Sequence, residues 1–343
     1  MTQVLSAARW PEADALFHRE PRWLGADAAF TVSLGGDRIL WMFGDSFIAT
    51  GPSGVQPSRA QSKLVRNTVA VQTGADPTTA AITFHWGRTS AADAAPASFF
   101  AEPDGTHWRW PQHGVRVGDK LLLFLDDITA APGGLGFSVA GWTMAIVDNP
   151  DASPDEWTIN YRASPAGPAG VTVGAAVLAD ADHVTALALH EPGDHGGLLA
   201  RWPVSSLATT WDGMQWWQSD RRWAADGTPA VVLDDAGAEC SISWSASARK
   251  LVHVASRGFG ATDIALRFAD QLTGPWSAPQ IAFRPPESDQ ANAFVYAAKN
   301  HPELTGADLV VTYVANTMGG FKALVDDPTI YFPRFVRIQL AAP

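Results

Sequence analysis

The sequence predicts an all-β fold, a five-bladed β-propeller, and three observations lead to this prediction. Segments with the periodicity of an amphipathic helix are nearly absent. Short segments that alternate apolar and polar residues, rich in Val, Ile, Thr, Phe and Trp, recur along the chain between Gly, Asp, Asn and Pro turns. A strand–turn–strand unit followed by outer strands begins near residues 27, 112, 173, 239 and 293. Five such units in 343 residues favour a propeller, whose blades add core without widening a single sheet.

The individual strands follow from the same alternation and from the turn residues that bound it. Loops are predicted around 51–59, 91–103 and 148–154, which are rich in Gly, Pro, Ala and Asp. Because no linker separates two parts of the chain, we predict one domain over residues 1–343, with residues 1–22 as an extension that packs on the propeller. The clearest predicted strands are 29–34, 39–43, 68–72, 120–125, 139–147, 184–189, 241–244, 250–255, 264–268, 309–314 and 335–340.

The first hairpin contains the most informative pair of residues, Asp27 and Asp45. Its turn is the segment Gly-Gly-Asp at 35–37, a strong hairpin signal. If Leu34 lies opposite Arg38, antiparallel pairing places Asp27 opposite Asp45, and a two-residue turn would shift this register by one position. In either register both carboxylates lie at the same rim of the blade. Directly opposed residues have Cβ atoms about 5 Å apart.

Two carboxylates at that distance destabilise the fold unless the site uses them. Their proximity raises one pKa and keeps one group protonated near neutral pH. A glycosidase needs this arrangement, with one acid to protonate the leaving oxygen and one carboxylate to attack or stabilise the sugar cation. The alternative interpretation is that Asp27 and Asp45 are turn or cap residues, each bonded to the backbone at a strand end.

Further polar residues are candidates for a supporting role at this site. Glu239 precedes the predicted strand of a later blade and is a candidate third acid, pKa modulator or acceptor for a sugar hydroxyl. Asn67 is a candidate hydrogen-bond donor to one aspartate, or a plain turn residue. His113 and His301 lack metal-type spacing, so no metal site is predicted, and a structural role in its turn is the alternative for His301. We predict no cofactor, leaving open a structural Ca²⁺ or Na⁺ on the propeller axis.

Composition narrows the class of partner. A net charge of −11 with scattered Lys and Arg argues against nucleic acid, and the 15 Trp suit a carbohydrate, because indole rings stack on sugar faces. No apolar run approaches the roughly 20 residues of a membrane helix.

No signal peptide is visible, which predicts a cytoplasmic protein, or a secreted one if its signal has been removed. The lone Cys240 excludes an intrachain disulfide framework, and oligomeric state is left open.

Several segments resemble a bacterial family of five-bladed β-propellers, formerly of unknown function, that includes endo-D-arabinanases. The most specific matches are Phe-Gly-Asp-Ser-Phe at 43–47 and Tyr-Phe-Pro-Arg-Phe at 331–335. The resemblance extends from about residue 23 to residue 340. The other matching segments are 24–32, 40–48, 66–68, 108–111, 200–203, 274–277 and 297–304.

This resemblance implies a retaining glycoside hydrolase that acts on arabinofuranosyl linkages, with Asp45 as nucleophile and Asp27 as general acid/base. One alternative is a non-catalytic carbohydrate-binding or scaffold propeller, which has no need of two close carboxylates. Another is a sialidase-like or inverting propeller glycosidase, although the arginine cluster and repeated Asp-box of sialidases are not evident. The residues that we expect to bind substrate are Asn67, Trp110, His113, Glu239, Lys299 and His301.

Overall fold

The computed structural model describes residues 3–51, 57–89, 95–102, 104–191 and 193–341, so the predicted loops at 51–59 and 91–103 lie partly outside the described residues. Within these described ranges, three short helices, α1 (Pro11–Asp14), α2 (Val204–Leu207) and α3 (Phe321–Asp326), accompany a β fold. Short 3₁₀ turns occur at Ala15–His18, Arg59–Gln61, Pro154–Glu156 and Pro286–Asp289. The strands are β1 (Val4–Arg9), β2 (Trp23–Gly35), β3 (Arg38–Ala49), β4 (Ser62–Val65), β5 (Thr68–Thr73), β6 (Ala81–His85), β7 (Gly87–Arg88), β8 (Pro96–Ala97), β9 (His107–Val117), β10 (Lys120–Ala130), β11 (Phe137–Val147), β12 (Ile159–Ala163), β13 (Val171–Ala179), β14 (His183–His190), β15 (Gly197–Pro203), β16 (Gln215–Trp217), β17 (Trp223–Ala224), β18 (Cys240–Ser245), β19 (Lys250–Arg257), β20 (Asp263–Ala269), β21 (Gln280–Phe283), β22 (Ala293–Asn300), β23 (Leu309–Thr317) and β24 (Pro333–Leu340).

Five antiparallel sheets form the blades of a β-propeller, which confirms the predicted fold class. Their strand orders are β2-β3-β5-β6, β9-β10-β11-β12, β13-β14-β15-β16-β17, β18-β19-β20-β21 and β22-β23-β24-β1. Strand β4 pairs with β3 beside the first blade. The N-terminal strand β1 is therefore the outermost strand of the last blade, and its pairing with β24 closes the ring.

The innermost strands β2, β9, β13, β18 and β22 surround the axis, each in contact with the inner strand of the next blade. The predicted blade starts at 27, 112, 173 and 293 lie within these strands, and the start at 239 lies one residue before β18. All of the individually predicted strands also lie within observed strands. The run Leu121–Leu125 in β10 is buried on both faces, because neighbouring blades cover both sides of a middle strand.

The register of the first hairpin differs from the prediction at its turn. Arg38 pairs with Gly35 rather than with Leu34, because Gly35 adopts φ of +94° and shortens the turn to two residues. Farther along, the predicted register returns, and Ala26 lies opposite Ser46. Between these points β2 is bulged, which increases its local twist and redirects side chains at the rim.

Apolar side chains pack between neighbouring blades, and large aromatic side chains fill the space behind the first hairpin. Phe17, Trp23, Trp41, Phe43 and Phe335 are all buried and contact one another through their rings. This rigid aromatic block supports the ends of β2 and β3 that carry the two aspartates. Among the described residues, no helix has both the length and the apolar character needed to cross a membrane.

Candidate active site

Asp27 and Asp45 lie at one face of the propeller, where β2 begins and β3 ends. The two residues that follow Asp27 have strained backbone: Ala28 and Ala29 have φ of 63° and 67°, values that cost energy for any residue with a Cβ. This strain coincides with the bulge in β2. The bulge directs the Asp27 side chain over Gly44, the residue that precedes Asp45.

Gly44 leaves the space that the Asp27 carboxylate occupies. A Cβ atom at position 44 would lie 2.4 Å from Oδ1 of Asp27, closer than any non-bonded contact allows. The glycine of the Phe-Gly-Asp motif is therefore needed to bring Asp27 and Asp45 together, and its backbone φ is ordinary. The structure thus gives this motif a specific steric role.

Two tyrosines hold the Asp27 carboxylate. The hydroxyl of Tyr296 donates to Oδ2 at 2.7 Å, and the hydroxyl of Tyr331 donates to the same oxygen at 3.1 Å. Burial and the neighbouring aspartate raise the pKa of both phenols well above the usual value, so they remain protonated donors. Asn316 donates in turn to the Tyr296 hydroxyl at 3.2 Å. Tyr331 is itself held at a φ of 65°.

The pKa of Asp27 is raised to about 8, first by burial and then by the charges of Glu239 and Asp45. The two tyrosine hydrogen bonds lower it and only partly offset those effects. Asp27 is therefore mainly protonated at neutral pH. It can donate a proton to a group bound at this face.

Asp45 lies in a different environment. The indole Nε1 of Trp110 donates to Oδ1 at 2.9 Å, and Nη1 of Arg66 lies 3.1 Å from Oδ2. Burial raises the pKa of Asp45, whereas the Arg66 charge and the Trp110 hydrogen bond oppose this rise. The guanidinium also lies 4.2 Å from the ring centroid of Trp108, which fixes its position.

An ion pair lies close enough to Asp27 for the charges to affect one another. Nζ of Lys299 donates to Oε2 of Glu239 at 2.6 Å, and the Lys299 side chain is only 1% exposed. Its ammonium also lies 4.3 Å from the ring centroid of Phe30. Burial lowers the pKa of Lys299, and the charge of Glu239 opposes that effect.

Of the predicted substrate-binding residues, Trp110 and Glu239 thus lie next to the aspartates, with Lys299 behind Glu239.

Asn67 does not act on either aspartate, contrary to the expectation. Its side chain is fully buried, accepts from the Phe100 amide at 2.7 Å and donates to the carbonyls of Phe100 and Arg109. Because the amide is buried and bonded within the protein at both its nitrogen and its oxygen, it is not accessible to a substrate. Asn67 instead joins β9 and the segment before it to the first blade.

The two histidines lie farther along the axis. Both ring nitrogens of His301 are occupied, by Thr31 Oγ1 at 2.9 Å and by Thr312 Oγ1 at 2.7 Å, and the ring is buried. Nδ1 of His113 accepts from the Val177 amide at 2.9 Å, and burial lowers the pKa of His113 to about 4. Both residues line an axial cavity of about 580 Å³ toward the opposite face. The His301 ring therefore links β2 to β23 rather than capping its own turn. The positions of both histidines, away from the aspartates, do not match the expectation that they bind substrate there.

Four contributors to the site were not assigned from the sequence: Arg66, Tyr296, Asn316 and Tyr331. Arg66 and Tyr331 do lie in the segments that carry the family resemblance, which is the signal that could have identified them. Among the described residues, no group of three or more His, Cys, Asp or Glu side chains is placed to hold a metal ion. The site therefore consists of one carboxyl that favours its proton, one that is paired with a cation, and their phenol, indole and guanidinium partners.

Solved structures with the same architecture include a Bacteroides ovatus protein described as a "putative hydrolase". The two chains are 17% identical, with a TM-score of 0.73, and the match covers 97% of this chain and 90% of that one. A second likeness is to exo-β-1,3-galactanase of Phanerochaete chrysosporium with β-1,3-galactotriose, at 11% identity and a TM-score of 0.50, covering 91% and 60% of the chains. At these identities the likeness concerns the fold.

No curated protein matches this chain in sequence. One family model does match, over residues 12–340, a range that begins in α1, ends with β24 and contains both aspartates and both tyrosines. The chain therefore belongs to the family described as domain of unknown function DUF5005.

Proposed function

We propose that this protein is a retaining glycoside hydrolase that acts on arabinofuranosyl linkages. The observation that carries the proposal is the pair Asp27 and Asp45, which lie at one rim and differ in their partners. Asp27 accepts only neutral donors and has a pKa near 8, whereas Asp45 is paired with the Arg66 guanidinium. Two carboxyl groups whose environments differ in this way suit the roles of general acid and nucleophile in a glycosidase.

In the first step Asp27 donates its proton to the glycosidic oxygen as the bond from that oxygen to the anomeric carbon breaks. Asp45 attacks the anomeric carbon and forms a glycosyl ester with the enzyme. The leaving sugar departs as a neutral alcohol, and the negative charge that Asp27 acquires is stabilised by the hydroxyls of Tyr296 and Tyr331.

In the second step Asp27, now ionised, accepts a proton from water, and the water oxygen attacks the anomeric carbon. Asp45 leaves as a carboxylate beside Arg66 and Trp110, and Asp27 is again protonated. Two displacements at the same carbon retain its configuration. A retaining site has its carboxyl groups about 5–5.5 Å apart, whereas an inverting site leaves room for a water between them. Contact of Asp27 with Gly44, the neighbour of Asp45, supports the closer arrangement.

The substrate class is supported by the Phe-Gly-Asp-Ser-Phe and Tyr-Phe-Pro-Arg-Phe segments, which resemble the propeller family that includes endo-D-arabinanases. Both segments contribute to the site, the first through Asp45 and the second through Tyr331. A net charge of −11 also suits a neutral polysaccharide better than a polyanion.

The test uses Asp27→Asn and Asp45→Asn, assayed on an aryl arabinofuranoside and on an arabinofuranosyl disaccharide. We expect Asp45→Asn to lose about 10³-fold or more in kcat on both substrates, because no covalent intermediate forms. Asp27→Asn should lose about 10²- to 10⁴-fold on the disaccharide and less on the aryl glycoside, because a phenolate leaves without a proton. The melting temperature of Asp27→Asn should stay level or rise, since the buried carboxyl that it replaces is mainly protonated and the amide is uncharged and of similar size. A cooperative melting transition in Asp45→Asn checks that this variant keeps the fold.

Asp37→Asn is the matched control, because Asp37 is an exposed residue at the opposite end of the same hairpin. NMR of the first product must show retained anomeric configuration. Wild-type rates in either active-site variant, or an inverted product, would refute the assignment. Binding of arabinan without hydrolysis by the wild type would show a carbohydrate-binding propeller instead.

A further inference from the structure

A row of aromatic rings leads away from Asp27 across the face of the propeller. The rings of Tyr296 and Phe294 stack with centroids 4.6 Å apart at 27°, and Phe294 meets Phe259 at 5.5 Å. Tyr296 is the residue whose hydroxyl holds Asp27. The row thus begins at the proposed acid and ends at Phe259, whose side chain is 70% exposed.

The backbone around Phe259 is fixed. The Gly260 carbonyl accepts from the Val295 amide at 2.8 Å, and Thr262 Oγ1 donates to the Val295 carbonyl at 2.8 Å. Gly258 and Gly260 supply φ values of +109° and +74° that side chains rarely adopt. The loop is therefore tied to β22, beside Phe294, and it presents the phenyl ring to solvent.

Exposure of this ring contributes nothing to the core and leaves a large apolar side chain in water. A tied loop that holds an exposed ring in line with Phe294 and Tyr296 is the arrangement of a binding surface rather than of a mobile loop tip. A second group of rings lies beside Asp45 and consists of Trp108, Trp110 and Phe137. The ring centroid of Trp110 lies 6.0 Å from that of Trp108 and 4.5 Å from that of Phe137. The two carboxylates lie between these aromatic groups.

We infer that Phe259 and Phe294 form a distal sugar-binding subsite, on the leaving-group side of the bond that is cut. This inference rests on the proposed glycosidase function, in which Asp27 protonates the leaving oxygen. The sugars beyond that oxygen then lie over Tyr296, Phe294 and Phe259, and aromatic rings stack on the apolar faces of sugars. The substrate is accordingly an oligosaccharide or polysaccharide that continues past the cleaved linkage.

The test compares Phe259→Ala with Trp244→Ala, a matched control that removes an exposed ring, 56% accessible, at the opposite face. The substrates are an arabinofuranosyl hexasaccharide and an aryl arabinofuranoside, which does not reach Phe259. We expect the ratio of kcat/KM on the hexasaccharide to that on the aryl glycoside to fall about three- to tenfold in Phe259→Ala. The ratio should stay at the wild-type value in Trp244→Ala.

Calorimetric binding of the hexasaccharide to the Asp45→Asn protein, with and without Phe259→Ala, separates this inference from the proposed function. If the wild type hydrolyses neither substrate but Phe259→Ala weakens binding three- to tenfold, the proposed function fails and the subsite stands. Equal ratios and equal affinities in the Phe259 and Trp244 variants would overturn the subsite. The subsite would also be overturned if Phe259→Ala changed only the sedimentation coefficient of the protein and left the ratio and the affinity unchanged. That result would assign Phe259 to self-association.

Discussion

The proton on Asp27 connects the geometry of the site to the pH dependence that the proposed glycosidase activity should show. In the proposed mechanism Asp27 is the general acid and must be protonated, so kcat/KM should fall as pH rises through the pKa of this group, about 8. The charge of Glu239 contributes to that raised pKa. In Glu239→Gln this contribution is absent, and the Lys299 ammonium, which has lost its partner, further favours the ionised form of Asp27. The alkaline limb of the kcat/KM profile should therefore move to lower pH.

Glu102→Gln is the control for this measurement. Glu102 is exposed, and its charge raises the pKa of Asp45 rather than that of Asp27. Its removal should leave the alkaline limb in place. An alkaline limb that does not move in Glu239→Gln would mean that Asp27 is not the group that titrates there.

The residues of the site differ in how far the sequence reveals them. Asp27 and Asp45 are joined by one short hairpin, so strand alternation and a glycine turn were enough to bring them to one rim. Tyr296 and Tyr331 are 269 and 304 residues from Asp27 along the chain. Their contact depends on closure of the ring and on backbone with positive φ at Tyr331, and neither follows from local periodicity.

At the scale of the elements, the alternation of apolar and polar residues located the strands but did not reveal the bulges within them. A bulge adds one residue to one strand without changing the apolar pattern on either side. In β2 it lies beside Asp27, and in β22 a register shift lies between Tyr296 and Lys299. The same limit explains the turn of the first hairpin, where Gly35 displaced the predicted pairing of Leu34 by one residue.

One buried arginine connects β2, α3 and the segment that leads to Tyr331. Arg59 donates to the carbonyls of Leu24 in β2, Leu324 in α3 and Ile330 beside Tyr331, and to that of Asp327. In Arg59→Ala several of these carbonyls lose their donors in a buried setting. We expect the free energy of unfolding to fall by about 3 kcal/mol, measured by urea denaturation. Activity should also fall, because Tyr331 is no longer held over Asp27.

Arg22→Ala is the matched control, because Arg22 is exposed and its side chain donates to the single carbonyl of Ala49. We expect this variant to lose less than about 1 kcal/mol. A similar loss in both variants would show that the carbonyls around Arg59 are satisfied without it.

At the scale of the whole molecule, the ring depends on a strand from each end of the chain. β1 pairs with β24 through five matched positions, and the Trp10 amide donates to the Phe335 carbonyl at 2.8 Å. β24 follows directly after the segment that carries Tyr331. The closure that completes the fold therefore also holds one of the two donors to Asp27, so the stability of the ring and the geometry of the site are coupled.

Deletion of residues 1–9 tests this coupling. Without β1, β24 becomes an exposed edge strand, and several ladder hydrogen bonds of about 1 kcal/mol each are lost, so the free energy of unfolding should fall by about 3 kcal/mol. Hydrogen exchange should increase first in β24, and kcat should fall because Tyr331 is less firmly placed. Leu5→Ser is the control, since Leu5 is 67% exposed and the backbone pairing of β1 is kept. If the deletion and the control show the same exchange in β24, the fifth blade is held by its contacts with neighbouring blades, and Tyr331 is positioned independently of the closure.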